Sequence, residues 1–577
     1  MGSCAKVDAP RRARCCKLIL LFLLLVLPSA GSAQQFSSDD ARLAAAQKAF
    51  DSGQWEEAAK LSQGPQGQPA ELDFLRGLAL ARKQQWNESR QAFAAGHLKS
   101  LSDPRFLVEL AGIDYKQNDF SAAKRNLHAA LRLGSRDNYA FDFLGTIYFL
   151  QGNLEAALKY WNAIDKPRLR NVAVQPPPRL DETLLHRAIA FNAPQVLTGD
   201  ALLLTRARLE NLGVFSHERV ELTPAGEHFD ATLHLAERNG WGDSKLEGVI
   251  ALFSGVPYAT VYPEIYNIRH RAVNLTSLLR WDSQKRRAFG ALSTPLFDNP
   301  SRRLQMYFDA RNENWNLSNT FFGGSTPVSD LNLRRFAGGV ELHSVTNARW
   351  TWSTGAEVAS RSFRNLPGIS SAVAKTFFTD ATSFAYWLRA ERSLLRVPEH
   401  RFTLDAEAEG RLGRTFAENL GAFGTARGSL DAHWLPRASG DDYEMRTRVR
   451  AGATVGNVPL DELFQLGVER DNDLWLRGHA GTSGGRKGAA PLGRRYFLVN
   501  WEIDKNVYSN GLFTVKLGPF LDTGKITDAS GLFGSREWLW DTGAQCKVRV
   551  LGSVTVVLIY GRDLRGGHNV VYSTAVH

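Results

Sequence analysis

The stretch that decides the fold is 473–524. It contains Leu476-Arg477-Gly478-His479, then a glycine-rich run at 481–493, then two segments, 496–504 and 512–524, in which residue types alternate. One side of the two segments carries Phe497, Val499, Trp501, Ile503, Phe513, Val515 and Leu517, and the other carries Asn500, Glu502, Asp504, Lys516, Phe520, Asp522 and Gly524. Such period-2 patterning indicates β-strands with one apolar and one more polar face. If the apolar face meets lipid and the polar face meets a water-filled lumen, these are strands of a transmembrane barrel.

Two charged residues in this stretch are candidates for one ion pair. On the barrel interpretation Asp522 points inward, and Arg477 lies in a long hairpin loop before Gly478, where the backbone has conformational freedom. A carboxylate and a guanidinium shielded from water would pair more strongly than surface charges do. Taken singly, however, each of the two is most simply a solvated charge.

Together these residues resemble two motifs of the BamA/TamA outer-membrane assembly superfamily. Leu476-Arg477-Gly478-His479 is similar to its Val-Arg-Gly-Tyr/Phe signature, and Phe520-Leu521-Asp522-Thr523-Gly524 is similar to its Phe-x-Asp-x-Gly strand motif. The resemblance implies a lumen-loop lock in which Arg477 contacts Asp522, with Gly478, Phe520 and Gly524 as the other motif residues. The chain departs from the signature at Leu476, which is conservative, and at His479, which replaces an aromatic residue.

The N-terminus predicts export. Basic residues precede the apolar run 18–27, and Gly31-Ser32-Ala33 follows as a small-residue cleavage site, which is typical of a signal peptide at 1–33. Five Lys/Arg and one Asp in that segment contribute +4 to the formal net charge of +11. The remaining surplus of +7 (11 − 4) shows no basic-aromatic stripe, so no nucleic acid partner is predicted. Of the four cysteines only Cys546 lies beyond the signal, which excludes an intrachain disulfide in the mature chain.

Residues 40–166 repeat with a period of 34. Trp86, Phe120 and Leu154 recur at this spacing, and so do Gly77, Ala111 and Gly145. Small residues where paired helices touch, repeated at this period, resemble the tetratricopeptide pattern. We therefore expect an α-helical solenoid with a concave groove. The residues of the groove do not identify its ligand, and we expect a periplasmic protein partner.

Between the repeats and the barrel the sequence predicts a linker and a small domain. The linker is 167–179, stiffened by Pro176-Pro177-Pro178. Residues 180–240 combine a helical part with two alternating segments and resemble a POTRA module, with Gly213 as a helix C-cap and Phe215 as a core residue. Any small α+β domain would show the same pattern.

Residues 241–577 alternate almost throughout and predict an antiparallel transmembrane β-barrel. In 402–409, for example, Phe402, Leu404, Ala406 and Ala408 alternate with Thr403, Asp405, Glu407 and Glu409. The resemblance implies about 16 strands, an even number as in bacterial barrels. It also implies a weak seam between the first and last strands, which we place near 246–258 and 553–563.

Enzyme motifs receive no support. Gly481-Thr482-Ser483-Gly484-Gly485 fits Gly-x-Ser-x-Gly, but it lies in a loop rather than in the strand–turn–helix that a serine nucleophile requires. The sequence contains no metalloprotease, Cys-x-x-Cys or Walker motif. We therefore predict no enzyme, no metal and no cofactor.

The resemblance implies an outer-membrane protein whose N-terminal domains lie in the periplasm. Its partners would be outer-membrane lipid and unfolded outer-membrane or secreted polypeptides, and its activity would be assembly, insertion or translocation by non-covalent templating at the seam. A two-partner secretion translocator and a polysaccharide-export porin remain as alternatives.

Overall fold

The structure, a computed structural model, describes residues 30–576 except 66, 135–136, 239–254, 325, 367–374, 418–419, 536 and 551–553. The predicted signal peptide lies outside the described residues apart from 30–33, which begin the first helix. The chain divides into two compact units, Met1–Ala140 and Phe141–His577. No helix in the described part of the chain is both long and apolar enough to span a membrane.

Helices form the N-terminal part of the chain, as predicted. They are α1 (Ala30–Asp51), α2 (Trp55–Leu61), α3 (Ala70–Arg82), α4 (Trp86–Lys99), α5 (Pro104–Lys116), α6 (Phe120–Arg132), α7 (Asn138–Leu150), α8 (Leu154–Trp161), α9 (Glu182–Ala188) and α10 (Gly199–Leu212). In the first unit α3 packs on α4 and α5 packs on α6. The repeated positions occupy equivalent places: Trp86, Phe120 and Leu154 begin α4, α6 and α8, and Gly77, Ala111 and Gly145 lie within α3, α5 and α7.

The repeated small residues permit close helix contact. A Cβ added to Gly77 would lie 2.5 Å from the Phe93 ring, and one added to Gly145 would lie 2.5 Å from the Trp161 ring. Each glycine therefore leaves the space that an aromatic side chain of the following helix fills. The solenoid as a whole, and the partner of its groove, stay predictions.

The second unit begins with a small sheet of strands β1 (Leu169–Gln175), β2 (Phe215–Ala225) and β3 (His228–Glu237), in the order β1-β3-β2. The predicted linker 167–179 is therefore wrong as a linker, since β1 lies within it and pairs in parallel with β3. The prolines around this strand masked its short apolar alternation, and its partner strand lies far along the chain. As predicted, Gly213 (φ 68°) caps α10, and Phe215 is buried at the start of β2.

A large antiparallel sheet follows. Its strands, with the short strands of the loops between them, are β4 (Thr260–Val261), β5 (Glu264–Ile268), β6 (Val273–Trp281), β7 (Lys285–Pro295), β8 (Arg302–Trp315), β9 (Leu331–Asn347), β10 (Trp350–Arg364), β11 (Ala381–Val397), β12 (Phe402–Phe416), β13 (Ala422–Trp434), β14 (Tyr443–Gly456), β15 (Phe464–Gln465), β16 (Thr482–Ser483), β17 (Arg486–Lys487), β18 (Leu492–Gly493), β19 (Arg495–Ser509), β20 (Phe513–Thr527), β21 (Leu539–Val550), β22 (Val554–Asp563) and β23 (Asn569–Val576).

Neighbouring long strands pair in chain order, and β14 pairs with β19. In the strand order β23 stands beside β4, although no residue register joins these two among the described strands. The last strand is β23, so the seam segment that we predicted at 553–563 is wrong. That segment falls on β22, because the weak alternation of the final residues concealed a further strand. Of the other predicted seam segment, 246–254 lies outside the described residues.

The two faces of the large sheet differ. One face, the open face, carries exposed apolar side chains, including Leu279, Leu292, Met306, Phe336, Val358, Phe384, Leu412, Leu430, Val455, Phe497, Leu517, Leu521 and Leu558. The other, the covered face, carries buried charged side chains that contact the loop between β14 and β19. The alternation predicted for β19 and β20 agrees with these two faces, since Phe497 and Leu521 are exposed while Asp504 and Asp522 are buried.

Helices of the second unit attach to one end of the large sheet, where a short turn joins β11 to β12. Glu155 of α8 accepts hydrogen bonds from Arg396 of β11 and from Arg206 of α10, both at 2.7 Å. The side-chain amide of Asn153 donates to the carbonyl of Pro398 in the turn at 2.7 Å. The Glu155 carboxylate thus connects α8, at the end of the helical region, with α10 and with the large sheet.

Candidate functional site

The candidate site is the inner segment, residues 457–494, which joins β14 to β19 and lies against the covered face. Part of it, the inner hairpin (467–481), is closed by its own backbone: the Val468 amide donates to the His479 carbonyl at 2.8 Å, and the Gly467 amide donates to the Leu474 carbonyl at 3.0 Å. Glycine is required at 467, because a Cβ there would lie 2.4 Å from the Cβ of Ala490. The inner hairpin therefore has a defined conformation.

The structure brings Arg477 and Asp522 together. Arg477 Nε and Nη2 donate to the two carboxylate oxygens of Asp522 at 2.9 and 2.7 Å, and the Arg477 amide donates to the same carboxylate at 3.0 Å. The guanidinium carbon lies 3.9 Å from the centre of the Phe520 ring. A planar guanidinium suits this bidentate and stacked environment better than an ammonium would.

The pair is almost fully shielded from water. Arg477 is 3% exposed and Asp522 is 0% exposed. Burial alone would lower the pKa of the Arg477 guanidinium, but the carboxylates of Asp522 and Glu502 outweigh it and raise that pKa. Arg477 therefore stays charged, and a buried charge of this kind is stable only while its partners are present.

Gly478 and a glycine of β22 allow the backbones of the loop and the sheet to meet. A Cβ at Gly478 would lie 2.6 Å from both Asp541 Cγ and the amide nitrogen of Asp563, and one at Gly561 would lie 2.0 Å from the Arg477 carbonyl oxygen. The Gly478 amide donates to the Asp541 carboxylate. Any side chain at 478 would therefore separate the inner hairpin from β21 and β22.

His479 lies between two aspartates of neighbouring strands. Its Nδ1 is 3.1 Å from an oxygen of Asp541, and its Nε2 is 3.8 Å from Asp563 Oδ2. Burial lowers the pKa of the His479 imidazole, but Asp541 and Asp563 outweigh it and raise that pKa. These three residues offer ligand atoms within 4.8 Å of one another, yet each ring nitrogen faces a different carboxylate, which suits a protonated imidazole.

The sequence reasoning missed several partners of this centre. Arg477 Nη1 donates to Glu502 Oε2 at 2.7 Å and to Gln545 Oε1 at 2.9 Å, and the side-chain amide of Asn500 donates to Asp522 at 2.7 Å. Alternation placed Glu502 and Asn500 on the polar face, but nothing in it showed which loop residue they meet. A Cβ added to Gly524, the last residue of the strand motif, would lie 3.2 Å from the side chains of Leu466 and Leu498.

Ion pairs attach the inner segment to strands throughout the large sheet. They join Asp471 to Arg280 of β6 (2.7 Å) and Arg287 of β7 (2.8 Å), Lys487 to Glu313 of β8 (2.7 Å), Asp461 to Arg361 of β10 (2.7 Å), and Glu462 to Arg411 of β12 (3.1 Å). Burial would lower the pKa of the Lys487 ammonium, but Glu313, Glu469 and Asp471 outweigh it and raise that pKa. One segment is thus contacted by strands from β6 to β22.

An apolar cluster lies at the loop end of the sheet. It joins loop, strand-end and inner-segment residues: Trp315, Leu317, Phe321, Val328, Leu331, Leu333, Phe363, Phe377, Phe378, Leu460, Leu463, Leu492 and Phe533. Edge-to-face contacts link its rings, for instance Phe321 with Phe378 at 5.5 Å between centroids. The loops therefore pack together over the inner segment.

No family model and no curated protein matches the chain. Among solved structures, BamA from Haemophilus ducreyi lacking POTRA domains 1-3 is similar at 13% identity and TM-score 0.43, over 71% of this chain and 84% of that chain. CdiB from Escherichia coli is similar at 13% identity and TM-score 0.47, over 71% and 77%. CdiB from Acinetobacter baumannii is similar at 14% identity and TM-score 0.42, over 71% and 73%.

Proposed function

We propose that the chain is an outer-membrane assembly or insertion factor of the BamA/TamA type. The observation that carries the proposal is the buried contact of Arg477 with Asp522, because these two residues belong to the two motifs that resemble that superfamily. In this proposal the large sheet closes into a transmembrane barrel of about 16 strands. The inner segment fills its lumen, and the helical and small-sheet domains lie in the periplasm.

Three features support the barrel. The open face is apolar and the covered face is charged, which is the distribution that lipid outside and water inside require. Strands from β6 to β22 contact the single inner segment, as they do only if the sheet curves around it. A contact between the two ends of the sheet also supports closure, since the Tyr258 hydroxyl donates to Ser573 Oγ at 2.7 Å.

The activity proposed is templating without covalent chemistry. Opening the contact between β23 and β4 would expose unpaired backbone groups, on which a strand of an unfolded outer-membrane protein forms hydrogen bonds. The repeats recruit a periplasmic partner, and the small sheet passes on the client by strand addition at its edge. In this proposal the repeat domain comprises residues 40–166, and the domain of the small sheet with its helices comprises residues 167–238.

The test is insertion of a urea-denatured outer-membrane barrel into liposomes that contain the purified protein. A thiol-reactive linker joins Tyr258→Cys to Ser573→Cys in a Cys546→Ser background, because the Tyr258 hydroxyl donates to Ser573 Oγ at 2.7 Å and so marks the seam. The control linker joins Ser360→Cys to Thr382→Cys, which are paired within the sheet. We expect the seam linker to abolish insertion and the control linker to preserve it. Unchanged insertion with the seam linker contradicts the proposal.

A further inference from the structure

The inner hairpin contacts strands on both sides of the proposed seam. Its backbone bonds make it one piece, and the side chain of Asn472 adds hydrogen bonds to the carbonyls of Gln465 (2.9 Å) and Gly467 (2.8 Å). Trp475 Nε1 donates to the Asn472 carbonyl at 2.6 Å. Strands that contact opposite sides of the inner hairpin therefore cannot move apart unless the hairpin deforms or its contacts on one side break.

The C-terminal side of the seam is held by residues 475–479. Besides the contacts of Arg477, Gly478 and His479 with β20, β21 and β22, the Trp475 ring meets the Tyr572 ring of β23 at 6.1 Å between centroids. The hairpin thus reaches the last strand of the sheet.

The N-terminal side of the seam is held by residues 470 and 471. The Arg470 guanidinium carbon lies 3.8 Å from the centre of the Tyr258 ring, and Arg470 Nη1 donates to the Tyr258 carbonyl at 3.1 Å. The Asp471 side chain, 4% exposed, accepts from Arg280 Nη1 at 2.7 Å, and the Arg280 side chain is 3% exposed. Arg280 in turn stands opposite Thr260 of β4.

The charges at this point are buried, which a solvated loop would not require. The pKa of the Asp471 carboxyl is held well below its usual value, since Lys487, Arg280 and Arg287 outweigh the effect of burial. Buried ion pairs contribute little net stability compared with apolar packing, although breaking one is costly. A buried pair here is therefore better explained by the position that it imposes on β4 and β6 than by stability.

We propose that Arg470 and Asp471 are positioning residues that, with Arg477 on the other side, make the inner hairpin a clamp across the seam. This deepens the proposed function and rests on it. The seam stays closed while both sides of the hairpin are attached, and it opens when the side at Arg470 and Asp471 releases. These residues would set how often the edge strands become available to a client.

The test is hydrogen–deuterium exchange of the full chain in detergent micelles, with peptides from 260–281 and 554–576 reporting on the two edges. We expect Asp471→Asn and Arg470→Gln each to speed exchange in both edges by tenfold or more. The matched control is Asp461→Asn, which breaks a buried pair between the inner segment and Arg361 of β10, away from the seam. It should leave both edges unchanged, and helical peptides from 70–132 verify folding in every variant.

Two results would overturn the clamp: unchanged edges in Asp471→Asn, or equal acceleration by Asp461→Asn. If Asp471→Asn disturbs folding, Arg470→Gln alone decides. It removes a stacked contact and the hydrogen bonds of Arg470 to the Tyr258 carbonyl and the Thr260 hydroxyl, without leaving Arg280 unpaired. Exchange needs no client, so its outcome is independent of the insertion assay. Faster edges without any insertion activity would support the clamp while contradicting the proposed function.

Discussion

Replacing Asp522 with asparagine tests the central pair with little change of shape. Asp522→Asn removes the charge that accepts three hydrogen bonds from Arg477, at 2.9, 2.7 and 3.0 Å. Breaking a buried pair costs about 3–5 kcal/mol. Because Glu502 still lies 2.7 Å from Arg477, we expect the lower end, about 3 kcal/mol, which corresponds to roughly a 150-fold larger open population of the inner segment.

Limited trypsin digestion measures that open population. The inner segment contains buried cleavage sites such as Arg477 and Lys487, and cleavage through a transient opening follows the equilibrium population of the open form when closing is fast. Fragments that end within 470–487 are quantified by mass spectrometry. The control, Asp442→Asn, breaks an ion pair with Arg437 whose side chains are 51% and 56% exposed, and such pairs contribute about 1 kcal/mol or less.

The outcome separates a buried pair from a solvated one. We expect cleavage in Asp522→Asn to be on the order of 100-fold faster than in the unmodified chain, and cleavage in Asp442→Asn to change less than about fivefold. Equal effects of the two substitutions, or an Asp522→Asn effect below about fivefold, would refute the assignment of Arg477 and Asp522 as the attachment of the inner segment.

Three further predictions concern Gly478, His479 and Gly77. Gly478→Ala places a Cβ 2.6 Å from β21 and β22 atoms, so trypsin should cut the inner segment faster. In the unmodified chain, His479 contributes stability that is fully present below its unfolded pKa near 6.5 and is lost as pH rises through its raised folded pKa. Trypsin cleavage of the inner segment should therefore increase as pH rises over that range. His479→Gln should remove this pH dependence. Gly77→Ala places a Cβ 2.5 Å from Phe93 and should lower the helical melting temperature in circular dichroism, whereas Gly112→Ala, with open space around it, should raise it slightly.

Alternation along the chain predicted the strands because each strand has one exposed apolar face and one covered face with buried polar or charged side chains. In β20, Leu517 and Leu521 are exposed on the open face while Phe520 and Asp522 are buried on the covered face, and this contrast is visible in any single strand. The motif resemblance added the contact between Arg477 and Asp522, which alternation alone left open. The division into helices followed by sheet was predictable for the same reason, since the periods 3.6 and 2 differ.

The remaining partners could not be predicted because their contacts depend on how the sheet curves. Asp471 and Arg280 are 191 positions apart in the chain, and no local pattern distinguishes this carboxylate from a solvated one in the charged run Glu469-Arg470-Asp471. Strand β1 was missed for a related reason. Its parallel partner β3 lies some sixty residues away, and the flanking prolines indicate a linker to any analysis that considers neighbours only.

For the proposed barrel, the buried pairs of the inner segment also bear on which of two routes, the lumen or the seam, a client would take. A polypeptide or polysaccharide passing through the lumen would have to displace the whole segment. That requires separating at least the pairs of Arg477 with Asp522, Asp471 with Arg280, and Asp461 with Arg361. Opening the seam requires release on one side of the hairpin only.

The lumen route requires displacing the whole inner segment and the seam route does not, and this difference between the routes predicts the electrical behaviour of the purified protein in a planar bilayer. With the inner segment in place and the apolar cluster of loops packed over it, we expect a mostly closed state with brief openings. Asp522→Asn should lengthen those openings, because it weakens the attachment of the segment by about 3 kcal/mol, and Asp442→Asn should not. A large, stable and ion-selective conductance in the unmodified chain would instead favour an export porin, since it shows a lumen that the inner segment does not fill.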